Sequence, residues 1–167
     1  MKGASGDTAR PRGGWVALAV LVASCLAIGA VGGIVTASSV DTWYPGLNKP
    51  AWNPPDSVFG PVWTLLYLMM AVAAWLVWRR RGAADVRAAM TLFAVQLGLN
   101  AAWSVLFFGL RRPGLAAVEI VLLWLAIVAT MALFARVSRP AGWLLVPYLG
   151  WVSFAAALNI AIWRLNM

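Results

Sequence analysis

The segment that decides the fold is Gly14 to Val35, GWVALAVLVASCLAIGAVGGIV, an apolar run without a charged residue. A helix needs about 20 such residues to cross a hydrocarbon core roughly 30 Å thick. A secretory signal peptide has a shorter apolar region that is followed by a cleavage site. The run therefore predicts a retained first transmembrane helix, which follows a polar N-terminal segment at residues 1–13.

Four further windows of similar character follow along the chain. In the whole chain, 63% of the residues are hydrophobic and 11% are charged. This composition lies far outside that of a soluble domain. Lipid offers no partner to free backbone groups, so each window must form a helix. The predicted fold class is all-α, a five-transmembrane-helix bundle forming one domain at 14–167. Its helices are expected at about 14–35, 57–78, 88–110, 113–135 and 140–163.

The net charge of +8 comes from short clusters of basic residues at the ends of the apolar windows. This placement is typical of anchoring at anionic lipid headgroups and does not meet the criteria of a nucleic-acid surface. We therefore expect membrane lipid, and no nucleic acid, as a partner. Basic residues favour the cytoplasmic side. One side carries nine of them and the other four, which predicts a cytoplasmic N-terminus and an external C-terminus: Lys2, Arg10, Arg12, Arg79, Arg80, Arg81, Arg87, Arg136 and Arg139 against Lys49, Arg111, Arg112 and Arg164.

Several kinds of chemistry are excluded by composition. The chain has no histidine and a single cysteine, Cys25, so an intramolecular disulfide, a multi-cysteine zinc site and the usual proximal ligand of haem are all ruled out. Neither a glycine-rich phosphate loop nor paired carboxylates are found, so we predict no metal site and no conventional acid–base catalysis. Glu119 is the one charged residue inside a window. We expect a local ion pair with Arg111 or Arg112; protonation and a functional site are the alternatives.

The long connection at 36–56 is rich in aromatic residues and contains four prolines, which disfavour helix. Two interpretations of it stay open. Aromatic side chains often rest in the headgroup region as an interfacial belt. Alternatively, the connection packs over the mouth of the bundle as a lid.

Eleven tryptophans are the sharpest anomaly of the composition. Trp15, Trp78, Trp143 and Trp163 lie at window ends, where an indole rests naturally at headgroup level. The interior ones fall on helical stripes with other aromatic and polar residues, which would line an apolar cavity suited to a planar ligand. Ordinary aromatic packing is the alternative, and spacing alone favours it. The stripes are Trp63 and Tyr67; Gln96, Asn100, Trp103 and Phe107; and Tyr148, Trp151 and Ala155.

Small residues recur at four-residue spacing on two predicted helices. Ala94, Gly98 and Ala102 form such a series on the third helix, and Gly29 and Gly33 on the first. These stripes permit close backbone approach, either within one bundle or between protomers. A homodimer through the third helix is therefore expected, with packing inside the bundle as the alternative. Asn100 and Asn159 are equally able to hold helices together by hydrogen bonds.

Four motifs together resemble the TspO and translocator protein family, the tryptophan-rich sensory proteins. The motifs are WYPGLNKPAWNPP at 43–55, VWTLLY at 62–67, NAAW at 100–103 and VPYLGW at 146–151. The resemblance extends over nearly the whole chain from the first helix to the fifth, and five helices is the number known in that family.

The resemblance implies a dimeric five-helix bundle that binds protoporphyrin and related tetrapyrroles as ligands, without a required cofactor. Some bacterial members degrade protoporphyrin in light, so Trp63 and Trp151 would be catalytic only if degradation occurs. Sterol-binding animal members carry tyrosines near the end of the fifth helix, which this chain lacks. Carried over by position and joined by Tyr148 from the spacing argument, the implied ligand-binding residues are Tyr44, Pro54, Trp63, Tyr67, Asn100, Trp103, Tyr148, Trp151 and Ala155.

The function expected on these grounds is that of a membrane receptor or carrier for porphyrins, in tetrapyrrole or stress regulation. The first alternative is an enzyme that degrades the porphyrin in light. The second is a structural or regulatory membrane partner without a ligand of its own.

Overall fold

Six α-helices make up five membrane spans in the computed structural model, which describes residues 13–167. The spans are Gly14–Val40, Asp56–Trp78, Arg87–Gly109, Pro113–Val137 and Arg139–Leu165, each long and apolar enough to cross a membrane. The predicted all-α bundle of five transmembrane helices is confirmed. All but the last residue of the predicted polar segment 1–13 lies outside the described residues. The helices are α1 Gly13–Val40, α2 Phe59–Trp78, α3 Arg87–Ser104, α4 Pro113–Val137, α5 Arg139–Leu144 and α6 Val146–Leu165.

The first helix ends at Val40, past its predicted end at residue 35. The segment 36–40 contains no glycine or proline to stop a helix, and two of the hydroxyl groups near its end donate back to carbonyls of the helix. Ser38 donates to the carbonyl of Val35 at 2.7 Å, and Thr42 donates to that of Ser38 at 3.2 Å. The connection predicted at 36–56 therefore starts only at residue 41. It contains the short 3₁₀ turn Tyr44–Gly46, and a second such turn, Asp56–Val58, begins the next span.

The third span ends in a widened, π-helical turn, Val105–Gly109. The amide of Leu110 donates to the carbonyl of Val105 at 2.7 Å, five residues back. Arg111 then adopts a left-handed backbone conformation with φ of 55°, which is uncommon for a residue with a side chain. This reversal allows α4 to begin at once with Pro113.

The fifth span is broken at Leu145, where a single helix was predicted at 140–163. Pro147 has no amide hydrogen and cannot continue the hydrogen-bond ladder. The chain bridges the break through the amide of Leu145, which donates to Gly142 at 3.1 Å. The short helix α5 is thus followed by a separate helix, α6, which carries Tyr148 and Trp151.

Helix α4 packs against both α3 and α6, while α1 packs against α2 and α3. Fully buried side chains such as Met70, Ile127 and Phe134 form the main core. Large apolar side chains also cover the outer surface, including Ile34, which is 73% exposed, and Val118, which is 64% exposed. Such an apolar exterior suits a protein surrounded by lipid.

The two ends of the bundle carry different sets of charges. At one end, Trp75 Nε1 donates to the carbonyl of Gly14 at 2.7 Å, and Arg80 donates to that of Val137 at 2.8 Å. At the other end, Ser39 Oγ donates to the carbonyl of Phe108 at 2.8 Å. Within residues 13–167, the basic residues predicted to share a side of the membrane thus lie at the same end; Lys2, Arg10 and Arg12 are outside the described residues. Which end faces the cytoplasm stays a prediction.

Candidate functional site

A chain of hydrogen bonds joins three spans in the interior of the bundle. The hydroxyl of Tyr67 on α2 donates to Oδ1 of Asn100 on α3. Asn100 Nδ2 donates to the hydroxyl of Tyr148 on α6 at 3.2 Å, and that hydroxyl donates to Gln96 Oε1 at 2.9 Å. All four side chains are buried. Because lipid offers no alternative partners, these bonds satisfy polar groups that would otherwise be costly to bury.

Two tryptophans flank this chain of polar side chains. The ring of Trp63 lies 5.6 Å from that of Tyr67 and 6.3 Å from that of Tyr148, measured between centroids. Trp151 lies one turn after Tyr148 on α6 and contacts the ring of Phe59 edge-on, at 5.8 Å. The structure therefore brings predicted residues of the second, third and fifth spans together in one layer, with Trp151 one turn further along α6: Trp63, Tyr67, Asn100 and Tyr148.

Trp151 has the one indole N–H in the described residues that is buried without a hydrogen-bond partner. Other tryptophans of the same region are satisfied: Trp103 donates to Asn159 Oδ1 at 3.0 Å, and Trp124 donates to Ser153 Oγ at 2.9 Å. A buried donor left unpaired costs about 1–3 kcal/mol. The site thus contains a donor that a ligand with an acceptor oxygen would satisfy.

Trp103 lies between the main core and a smaller cluster beneath the connection 41–55. Its ring stacks on Phe107, with 5.3 Å between centroids. Its partner Asn159 also donates to the carbonyl of Pro113 at 2.8 Å, so this asparagine does hold helices together. Ala155 lies on the core side of α6, one turn from both Trp151 and Asn159, and is buried.

Tyr44 anchors the connection to the bundle. It is buried against Phe108, with ring centroids 5.7 Å apart, and its hydroxyl donates to Asn53 Oδ1 at 2.9 Å. Lys49 Nζ donates to the Tyr44 carbonyl at 2.7 Å and lies 4.6 Å from the ring centroid. Burial raises the pKa of Tyr44 to about 12; the charge of Asp56 adds to this rise, while the hydrogen bond to Asn53 opposes it. The hydroxyl is therefore a neutral donor at physiological pH.

The rest of the connection also packs on the helices. Trp43 meets Phe107 edge-on at 5.8 Å, and Trp52 meets Phe154 of α6 at 5.7 Å. Pro54 is half-buried, and its carbonyl accepts a bond from Asn53 Nδ2 at 3.1 Å. Tyr44 thus contacts the end of the third span, and Trp52 contacts the fifth, while Pro54 lies half-buried in the same connection.

A pair of asparagines ties this cover to the end of α6. The amide of Asn48 donates to Asn166 Oδ1 at 3.0 Å, and Asn166 Nδ2 donates back to the Asn48 carbonyl at 2.9 Å. We call this reciprocal pair the asparagine latch. No sequence signal pointed to it, because its two residues lie far apart in the chain and neither belongs to a helical stripe.

Two further contributors are clear only in the structure. Gln96 belongs to a predicted stripe, but its bond to Tyr148 makes it part of the site itself. Gly29 of α1 supports Tyr67 from the opposite side: a Cβ atom there would lie 2.6 Å from the tyrosine ring. The small-residue stripe of the first helix was the available signal, although it did not indicate which ring the glycine meets.

The ion pair predicted for Glu119 does not form. Glu119 is 8% exposed, and both carboxylate oxygens are buried without a hydrogen-bond partner. The reason is geometric: Arg111 and Arg112 are exposed in the turn before α4, whereas Glu119 faces the interior.

The small residues of α3 face outward. Ala94 and Gly98 are exposed and Ala102 is half-buried, and a Cβ atom on Gly98 would meet nothing within 4 Å. Packing inside the bundle therefore does not account for this stripe, and the homodimer stays a prediction.

The sequence matches the model of the TspO/MBR family over residues 21–164. It is 49% identical over 153 residues to the tryptophan-rich protein TspO of Chlorobaculum tepidum, covering 89% of this chain and 95% of that protein. The human translocator protein is 44% identical over 126 residues, which cover 74% of this chain and 75% of that protein. A tryptophan-rich sensory protein of Cereibacter sphaeroides is 38% identical over 152 residues, 91% and 92% of the two chains. With the five spans and the tryptophan-flanked layer at its centre, this integral membrane protein belongs to the TspO/MBR family.

Proposed function

We propose that this protein is a membrane receptor or carrier that binds porphyrins of the protoporphyrin type in the layer between Trp63 and Trp151, in tetrapyrrole or stress regulation. The observation that carries the proposal is the buried, unpaired N–H of Trp151 beside flat aromatic walls. Relatives named translocator protein and tryptophan-rich sensory protein support a receptor or regulatory role in the membrane.

The chemistry of a porphyrin matches both features of the layer. Its ring is flat and apolar, and stacking on an indole adds about 0.5–1.5 kcal/mol to the free energy of burial. Its propionate groups are anionic acceptors that suit a free indole N–H. The end of the bundle nearest the connection also carries Arg111, Arg112 and Arg164, all exposed, whose charges would attract a dianionic ligand.

Binding requires the layer to open. Tyr67, Asn100 and Tyr148 are hydrogen-bonded to one another across the interior, and Tyr44 seals the connection above them. A ligand would therefore have to separate these side chains and lift the cover. We propose that the connection 41–55 acts as the lid, with the asparagine latch as one of its fastenings.

A dark titration of purified protein with protoporphyrin, followed by tryptophan quenching, tests this proposal. We expect saturable quenching at one site per protomer. Because the chain has no histidine to ligate iron, haem should bind no more tightly than the metal-free ring. Haem binding that is much tighter, with a spectrum showing strong protein ligation, would argue against the proposed layer.

A second candidate is light-dependent degradation of the porphyrin. The presence of two indoles in the layer favours it, because indoles are readily oxidised and a porphyrin is a photosensitiser. Here light would excite the bound ring in the presence of molecular oxygen. Covalent product that accumulates under illumination, and not in the dark, would distinguish an enzyme from a receptor.

The third candidate function, that of a structural partner without a ligand, is supported by the hydrogen bonds that close the layer. They leave few polar groups of the layer without a partner. In the dark titration, tryptophan quenching that keeps rising with porphyrin concentration and never saturates would favour this function. We further propose a homodimer through the outward stripe of Ala94, Gly98 and Ala102.

A further inference from the structure

An open cavity of about 790 Å³ lies at the end of the bundle opposite the lid. It forms where α2 ends at Trp78 and α3 begins at Arg87, beneath the turn that connects them. Because these residues end one membrane span and begin the next, the cavity lies at the level of the lipid headgroups. We call it the arginine cavity.

Two arginines line this cavity, and one of them is held in place. The Arg81 guanidinium carbon lies 3.3 Å from the centroid of the Trp78 ring, and its Nη1 donates to the Trp78 carbonyl at 3.2 Å. Stacking fixes the planar guanidinium while leaving other N–H groups free. Arg87 is exposed, and no side-chain hydrogen bond engages its guanidinium in the described residues.

The one acidic residue of the lining is occupied in the fold. Asp85 Oδ1 accepts the backbone amide of Arg87 at 3.0 Å, at the start of α3. Arginines dominate this end beyond the cavity as well: Arg79, Arg80, Arg136 and Arg139 are all exposed, and Arg80 bonds to the carbonyl that ends α4. The potential at the cavity is therefore strongly positive.

The remaining lining is apolar. Trp78 and Met90 are half-buried, and Val86 is buried. A ligand of this cavity should thus join an anionic group, for the two guanidinium groups, to an apolar part that continues along the helices into the hydrocarbon. A phospholipid with net negative charge has both parts. A zwitterionic lipid brings its own cation and would meet the arginines unfavourably.

We propose that the arginine cavity is a binding site for one acidic phospholipid, whose phosphate contacts Arg81 and Arg87 and whose acyl chains lie against Trp78 and Met90. Arginine suits this role because its N–H groups match phosphate oxygens two at a time. The site is separate from the porphyrin layer, so its test does not depend on the proposed function.

Native mass spectrometry of the detergent-purified protein tests the proposal, with phosphatidylglycerol and phosphatidylcholine of identical acyl chains as probes. We expect one phosphatidylglycerol molecule to be retained in preference to phosphatidylcholine. Since a basic residue near the membrane surface contributes about 1 kcal/mol, Arg87→Gln should weaken retention about fivefold and the double variant Arg81→Gln/Arg87→Gln about thirtyfold.

The matched control is Arg111→Gln/Arg112→Gln, which removes two exposed arginines from the other end of the bundle and should leave retention unchanged. Arg87→Gln breaks no side-chain hydrogen bond of the described residues, so it keeps the test decisive if the double variant fails to fold. Equal retention of the two lipids, or unchanged retention in Arg87→Gln, would overturn the proposal. Inorganic phosphate that displaces the lipid at millimolar concentration would identify a site for free phosphate instead.

Discussion

At the scale of single residues, substitution of Trp63 or Trp151 should distinguish the proposed porphyrin binding from light-driven degradation. Phenylalanine keeps most of the flat surface of an indole, so Trp63→Phe and Trp151→Phe should each weaken dark porphyrin binding only a few-fold, within the roughly 0.5–1.5 kcal/mol of an aromatic contact. Phenylalanine is much harder to oxidise. Light-driven loss of porphyrin should therefore fall more steeply than affinity does, as measured by absorbance after timed illumination.

Trp143→Phe is the control for both measurements. Trp143 belongs to α5, which contributes no residue to the layer, and it is 72% exposed. If the two site variants bind and bleach porphyrin as the parent does, their indoles serve packing only.

Glu119 provides a residue-scale test of stability. Its buried carboxylate oxygens have no partner, and an unpaired buried polar group is destabilising by about 1–3 kcal/mol. Glu119→Leu should consequently raise the midpoint of thermal unfolding, measured by tryptophan fluorescence in detergent. Gln96→Leu is the opposite case, because it leaves the Tyr148 hydroxyl without its acceptor, and it should lower the midpoint. A lower midpoint for Glu119→Leu would mean that the carboxylate has a partner in the membrane.

At the scale of helices, the contact of α1 with α2 depends on one glycine. A methyl group on Gly29 would lie 2.6 Å from Tyr67, whereas one on Gly33 would meet nothing within 4 Å. Gly29→Ala should thus displace the Tyr67 ring, at a cost of about 1–3 kcal/mol for overpacking, and weaken porphyrin binding with it. Gly33→Ala is the matched control on the same helix. Identical unfolding midpoints for the two variants would exclude this close approach.

The lid gives an element-scale prediction that depends on pH. The folded-state pKa of Tyr44 is raised to about 12 from its ordinary value of 10, so the folded state holds this proton more tightly than the open state does. The contribution of Tyr44 to closure is complete below pH 10 and is lost as the pH rises from 10 to 12. Proteolysis of the connection should increase over that range, and Tyr44→Phe should remove this component.

At neutral pH, Tyr44→Ala and Pro54→Ala should both weaken porphyrin binding while the bundle stays folded. Unchanged affinity in both variants would favour an interfacial belt.

The helices were the most predictable level of the structure, for physical reasons. Apolar length alone locates a span, because the bilayer fixes it, and helical spacing correctly grouped Trp63, Tyr67, Asn100 and Tyr148. The break at Leu145 and the extension to Val40 depend on individual hydrogen bonds that no hydropathy window registers. The asparagine latch and the isolation of Glu119 depend on which residues meet across the fold, which neither composition nor periodicity specifies.

At the scale of the whole molecule, the outward stripe on α3 predicts how protomers meet. Gly98→Leu should convert the proposed dimer to monomer in detergent, measured by light scattering after size exclusion, because close helix approach requires a small residue. Gly150→Leu is the matched control, since Gly150 is also exposed and a Cβ there would meet nothing within 4 Å. A monomeric parent, or a dimeric Gly98→Leu variant, would contradict the proposed interface.

The π-helical turn Val105–Gly109 also determines where the gene can lose a codon. Such a turn is an α-helix that carries one additional residue. Deleting one residue just before Phe107 would turn the bond from Leu110 to Val105 into an ordinary α-helical one, so the later side chains would keep their direction. Phe107, which contacts Trp43 and Tyr44, would still face the lid. A single-codon deletion should therefore be tolerated better here than in the middle of α3, where it would rotate every later side chain of the helix by about 100°.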